Sequence, residues 1–418
     1  MVKALEGVRI LDFSMFQAGP YATKLLGDMG AEVIKIEAPL HPDPLRMNAR
    51  EIFPDSDPGE RPWNRSGMIN ERNRSKLGIS LDLAAEEGKN LFLDLVKVSD
   101  VVLENFRVGV MDKLGVGFDV LKQYNPSIIL ASLSSQGTNG PEVRYSSFGN
   151  TLEQLSGMIG LTGYPGEPPY FNGMAYPDPL TGYFGVGLVA AALRHRRLTG
   201  YGTHLELSQR ELATCTNGEA IMDYTMNGRI REPMVNGHPS MAPHAAYPCA
   251  GEDKWITITV ENDEQWKIFC NIMNNPSLAD DEKYRDGLSR WHNQEELNAI
   301  ISGWTANYEP YQLMTKLQES GIPAGAMLNA ADIMSDPHLE SRDFFEVSED
   351  PESGSNRYYG RPWKLPETPG LTQYPAPLFA QHNDLIYGKL LGMKEEELSA
   401  LDRAQITSSI PSNPRSTV

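Results

Sequence analysis

The sequence predicts an α/β fold: a Rossmann-like large domain built on a wound parallel sheet, with a smaller α+β domain. Three observations carry this. The run VRILDFS, then AGPYATKLLGDMG, then AEVIKIE reads as strand, glycine-stopped helix and strand, a parallel βαβ unit. The alternation recurs in LGISLDL, a helix over about 86–98, DVVLENF, a helix over about 111–124, and SIILASLSS, which argues for right-handed crossovers. Finally, 418 residues with 40% hydrophobic content can bury a sizeable core and divide into two domains.

The next element starts at YPDPLTGYF, where Asp178 sits between two prolines. A residue before proline is pushed out of the α region, and proline is well tolerated at the first helical position, so Asp178 reads as an N-cap. Its helix, GYFGVGLVAAALRHRR, is apolar until its basic end, with TGYG as a stop. Asp-Pro also occurs at Asp43, Asp57, Asp336 and Asp350, so the dipeptide alone carries little information. THLELSQRE reads as a further strand, and 227–248, rich in Pro, Gly, Asn and His, as a linker. WITITV and helices near 265–273 and 294–304 outline the smaller domain, which closes near Gly325. The segment 350–377 reads as extended surface chain, and LIYGKLLG with KEEELSALDRA as a closing helix pair.

A net charge of -18 argues against a general role on nucleic acid or anionic membrane, so a polyanionic ligand needs a local basic pocket. ERNRSK, from Glu71 to Lys76, and NFRVGVMDK, with Arg107 and Lys113, could supply one. The start MVKALEGVRILDFS has no long apolar stretch, and GVGLVAAAL is too short to span a bilayer, so the expected location is cytoplasmic. Cys215, Cys249 and Cys270 form neither a disulfide framework nor a zinc pattern. Glu37 ends the second strand where an acid could hold a ribose, but SMFQAGPYA lacks the GxGxxG fingerprint. GxxxxGK[ST] and GxSxG are absent, and no histidine lies between His41 and His195. Chemistry at Asp178 would therefore be that of a carboxylate, which can attack an acyl carbonyl to form an anhydride.

LEGVRILDFSMFQAGPYATKLLGDMGAEVIKIEAP, NRSKLGISLDL, DVVLENFRVGVMDKLGVGFDVLKQYNPSIILASLSSQGTNGP, YPDPLTGYFGVGLVAAALRHRRLTGYGTHLELSQRE, GIPAGAMLNAADIMSDPHLESRDFF and PAPLFAQHNDLIYGKLLGMKEEEL resemble the family III CoA-transferases, in order and over nearly the whole chain. The resemblance implies an open-ring subunit interlocked with a second subunit, in a homodimer or with a paralogous partner. The large domain would take 1–226 and the returning segment 331–418, and the small domain 227–330. It also implies that Asp178, in the D-x-x-[ST]-G context of DPLTG, is the catalytic nucleophile, passing through an aspartyl-acyl anhydride and an aspartyl-CoA thioester. Acyl-CoA and small carboxylic acids would be the substrates, with neither metal nor permanently bound cofactor. Residue by residue, the CoA contacts carried over are Gln17, Ala18, Lys76, Asn105, Phe106 and Lys113. Ala38 stands where many relatives carry arginine, so no adenine contact carries over there. Phe148-Gly149 stands where some members have Tyr-Glu, so no acid orients substrate from that position.

Two other readings remain. An α-methylacyl-CoA racemase would need a histidine in a GHD context where this chain has SSFGN, and a non-catalytic subunit would not need Asp178. Tyr164, Tyr170, Phe171 and Tyr176 precede Asp178 and could line a pocket for an aromatic acid. The expected pair is succinyl-CoA as donor and an aromatic or branched dicarboxylic acid, such as a benzylsuccinate-like acid, as acceptor.

Overall fold

The computed structural model describes residues 2–47 and 52–411. Six strands, β1 (Arg9–Asp12), β2 (Glu32–Glu37), β3 (Lys76–Ser80), β4 (Val101–Glu104), β5 (Ile129–Ser132) and β6 (His204–Glu206), form a parallel sheet in the order β3-β2-β1-β4-β5-β6. Helices cover both faces, so consecutive apolar residues of the central strands, Ile10 and Leu11, Val33 and Ile34, Val101 and Val102, are all fully buried. From β1 the chain winds one way through β2 and β3, then returns to β4 and winds the other way. The crevice beyond the C-terminal ends of β1 and β4 is therefore the switch point at which such sheets bind ligands.

Helix α1 (Ala18–Asp28) joins β1 to β2, and α2 (Gly67–Asn73) leads into β3. Beyond them lie α3 (Glu86–Lys97), α4 (Gly149–Leu155) and the long α5 (Pro177–Thr199). Val186 and Val189 of α5 share one core with Ala22 and Leu25 of α1, while Phe92 and Val96 of α3 pack on the opposite face of the sheet. The first glycine of GYFGVGL has a packing reason. A Cβ on Gly182 would lie 2.4 Å from Tyr21 Cβ and 3.1 Å from the Ala18 carbonyl oxygen, so only glycine lets α5 approach α1 this closely.

The chain divides into two compact units. The larger comprises Met1–Ile159, Phe171–Arg229 and Ser341–Val418, the smaller Gly160–Tyr170 and Ile230–Glu340. The smaller unit has an antiparallel sheet of β7 (His244–Pro248), β8 (Trp255–Thr259) and β9 (Ala324–Ala326), with its own core around Ile256, Trp266, Phe269 and Leu297.

Several elements differ from expectation for local reasons. The helix over 111–124 is two pieces, Val110–Lys113 and Phe118–Tyr124, because Gly115 takes φ +74° between them. The strand in THLELSQRE stops at Glu206, and Ser208 caps a helix from Gln209 to Cys215. The expected linker ends in β7, which pairs with β8 although the segment 227–248 as a whole is rich in Pro, Gly, Asn and His. The expected extended tail begins inside a hairpin of β10 (Phe345–Asp350) and β11 (Gly354–Tyr359). No helix among the described residues is long and apolar enough to cross a membrane.

Candidate active site

A web of buried charge fixes the loop between β1 and α1. Asp12 accepts hydrogen bonds from Thr23 Oγ1 at 2.7 Å, Lys76 Nζ at 2.9 Å and the Ser14 amide at 2.9 Å. Lys35 Nζ donates to the Ser14 carbonyl and to Asp43, each at 3.0 Å. Asp43 in turn accepts from the amides of Phe16 and Leu45. Phe16, at φ +61°, is a non-glycine residue in the left-handed region, and these bonds hold it there. Its turn presents Gln17 to the crevice at the switch point. Asn105, just after β4, clamps the same loop, accepting from the Met15 amide and donating to its carbonyl, both at 2.8 Å.

Within the larger unit a cavity of about 650 Å³ opens at this point, lined among others by Phe16, Gln17, Asn105, Phe106, Arg107, Phe148, Gly149 and Asp178. Asp178 is not the N-cap the prolines suggested. Ala175 takes φ +49°, the Asp178 amide donates to its carbonyl at 3.0 Å, and the helix already runs from Pro177 with Tyr176 at the cap position. Asp178 is thus the second residue of α5, inside the positive end of the helix. Among the described residues its carboxylate accepts no hydrogen bond. Burial pushes its pKa up to about 6; Arg72 pulls against that shift and Glu153 adds to it. Glu153, fully buried on α4, accepts from the Tyr176 amide at 3.0 Å and so holds the turn before Asp178.

Gly149 leaves the carboxylate its room. A Cβ there would lie 2.6 Å from Asp178 Oδ2 and 2.4 Å from Ala175 Cβ, so in this chain no side chain fits at 149 without displacing Asp178.

The structure brings together Asp178, Gln17, Asn105 and Phe106 around one cavity. Ala18 is buried as the first residue of α1 and is not part of the lining. Lys113 is exposed and also lies outside it. Lys76, expected at a phosphate, is fully buried, with its ammonium on Asp12 and Asn73 Oδ1 and outside the lining. Burial pushes Lys76 down to about 8, while Lys76 and Lys35 hold Asp12 below the usual carboxylate range against its own burial. Glu37 is likewise taken, paired with Arg46 through two guanidinium nitrogens, and is not offered to a ribose. Tyr164, Tyr170, Phe171 and Tyr176 do not line the cavity; its aromatic rim is Phe16 and Phe148, edge to face at 5.5 Å, with Phe106. The sequence reading missed Glu153, for which TLEQL gives no signal. Arg72 lies in the same basic cluster, four residues before Lys76, and nothing in the sequence sets it apart from the other cations there.

A Rossmann-like sheet with a cleft at its turning point and a desolvated carboxylate inside is the build of an α/β enzyme. The family model described as CoA-transferase family III matches residues 5–383, and the chain belongs to that family. It is 33% identical over 404 residues, 97% of this chain and 98% of the relative, to succinyl-CoA–D-citramalate CoA-transferase of Chloroflexus aurantiacus. It is 31% identical, over 96% of this chain and 92% of the relative, to the alpha subunit of succinyl-CoA–L-malate CoA-transferase, also of Chloroflexus aurantiacus. Among solved structures, a CAIB/BAIF family protein from Brucella suis matches with a TM-score of 0.84 at 28% identity, covering 93% of this chain and all of that one. The α/β fold and the CoA-transferase class expected from the sequence both hold.

Proposed function

We propose that this enzyme moves CoA from succinyl-CoA to a small dicarboxylic acid, with Asp178 as nucleophile. The observation that carries the reading is the Asp178 carboxylate itself: unbonded, largely desolvated, inside a helix N-terminus and open to a cavity at the sheet's switch point. An Asp178 oxygen attacks the thioester carbonyl; the C–S bond breaks and CoA leaves as thiolate, giving an aspartyl-succinyl anhydride. The thiolate then attacks the aspartyl carbonyl, releasing succinate and leaving an aspartyl-CoA thioester. The acceptor carboxylate attacks that thioester and again expels CoA thiolate, which takes the acceptor acyl group and returns Asp178 as a carboxylate. Gln17, Asn105 and Phe106 flank the path of the thioester, and the enzyme works as a dimer with a second copy or a close paralogue.

The two relatives bear the names of short aliphatic dicarboxylates, and Arg107, Ser146, Ser147 and Asn150 give the cavity a polar side suited to a second carboxylate. An aromatic acceptor would have to use the Phe16–Phe148 rim instead. The lining contains no histidine, so among the described residues no imidazole faces Asp178 as the second base of a racemase.

The test is exchange of CoA between succinyl-CoA and isotope-labelled succinate by the purified chain, which needs no knowledge of the natural acceptor. Wild type is expected to exchange label, and hydroxylamine to trap a hydroxamate on the peptide containing Asp178. D178N should lose exchange by several orders of magnitude. Full exchange by D178N, checked for deamidation, would refute the nucleophile. Absence of exchange by the wild-type chain alone, restored by a paralogous partner, would make it one subunit of a heteromer. Malate, citramalate and benzylsuccinate then separate the acceptor types.

A further inference from the structure

Arg72, near the end of α2, forms an ion pair with its neighbour Glu71, Nη1 to Oε2 at 3.4 Å, and makes two closer hydrogen bonds. Nη1 donates to the Met68 carbonyl at 3.1 Å, and Nη2 donates to Gln17 Oε1 at 3.2 Å. The guanidinium also lies over the Tyr21 ring, 5.7 Å from its centroid, and its Nε is buried without a partner. The bond to Gln17 has a directional consequence. Arginine carries donors only, so the end of the Gln17 amide that meets it must be the oxygen. The NH2 end, which donates, is then the end left for the cavity that Gln17 lines.

We propose that Arg72 is a positioning residue for the transfer: it fixes the Gln17 amide by its oxygen, so that the NH2 group faces the reacting carbonyl beside Asp178. This rests on the reading of Asp178 as nucleophile. When an Asp178 oxygen bonds to the thioester carbon, the carbonyl π pair moves onto oxygen, and an oriented N–H donor there stabilises the developing charge before the C–S bond breaks. With the amide turned over, its oxygen would face that charge and repel it. The same guanidinium is the cation whose field opposes the burial of Asp178, so its removal disfavours the ionised nucleophile as well.

The two effects separate by pH and by a double-mutant cycle, using the exchange assay on R72M, R72K, Q17A and R72M/Q17A. At a pH well above 8, where Asp178 is ionised in every variant, R72M is expected to lower kcat by ~10- to 100-fold with a smaller change in KM. R72M/Q17A should be no worse than Q17A, because Arg72 acts through Gln17. Towards acid, R72M should lose activity about one pH unit earlier than wild type, and R72K, which keeps the charge, should restore the wild-type limb. Wild-type kcat and pH profile in a folded R72M, or losses from R72M and Q17A that multiply in the double variant, would overturn the assignment. If R72M does not fold, R72K with an unchanged acidic limb and its own cycle with Q17A decides the same question. D178N run alongside tells the two failures apart: inactive D178N with normal R72M removes only the role of Arg72, whereas active D178N removes the nucleophile and this inference with it.

Discussion

Asp178 is held in a state that costs folding free energy, and that cost is measurable. Its folded pKa, about 6, lies above the ordinary value of 3.8, because burial disfavours the charged form. A carboxyl raised in this way binds its proton more tightly in the folded chain than in the unfolded one. Its favourable contribution is complete below about pH 3.8 and is lost as pH rises through 6, so at neutral pH the ionised group opposes folding by up to roughly 3 kcal/mol. D178N should therefore melt higher than wild type at pH 7.5, and the difference should shrink to little by pH 4, while exchange activity is gone at both. Equal melting temperatures at pH 7.5 would show that the carboxylate is not desolvated as the geometry implies. In the wild type, kcat/KM for exchange should fall as pH drops through about 6, following loss of the anion. The position of this residue was legible in DPLTG, but its state was not: the sequence suggests a cap and the backbone turns the helix two residues earlier, leaving the side chain unbonded in a cavity.

At the scale of elements, three neighbouring strands carry charges in the interior: Asp12 ends β1, Lys35 and Glu37 lie in the second half of β2, and Lys76 opens β3, all essentially buried, with Asp43 and Arg46 beside them. The alternation of strand and helix was readable because periodicity survives without tertiary context. The destinations of the basic cluster were not. Arg72, Arg74 and Lys76 stand two residues apart where α2 passes into β3, and the fold sends them to three different partners: Gln17, Asp28 and Asp12. Only the packed structure distinguishes a cation near a substrate from one that neutralises the core. For Lys76 the two roles give opposite experimental results. As the partner of Asp12 it should be needed for folding, and K76M should lose about 3–5 kcal/mol of unfolding free energy by leaving a buried carboxylate unpaired. The folded fraction should keep its affinity for CoA in calorimetry. A K76M protein as stable as wild type but weakened for CoA would return Lys76 to the phosphate site.

For the whole molecule, the larger unit leaves apolar surface that a single chain does not use. Helix α6 (Gly218–Asn227) has no buried residue, although it carries Ile221, Met222, Tyr224 and Met226, the last 73% exposed. An isolated helix of this length is marginal in water and ordinarily depends on tertiary packing of an apolar face. Phe184, Leu188 and Leu198 on α5 are exposed as well, whereas a monomeric soluble protein rarely presents much contiguous apolar surface without a use for it. A net charge of -18 keeps separate particles apart, so association, where it occurs, needs apolar burial to outweigh repulsion between two acidic chains. The second subunit proposed for this enzyme supplies that burial if it covers α6. Sedimentation velocity at micromolar concentration should then give a particle of twice the chain mass, more stable with added salt as the repulsion is screened. Replacing Met222 and Met226 together by glutamate puts two charges on the face without touching the cavity around Asp178, and should convert the particle towards monomer. A wild-type chain that sediments as an active monomer would show that α6 is stable uncovered, and an M222E/M226E protein that stays dimeric would move the interface to another face of the molecule.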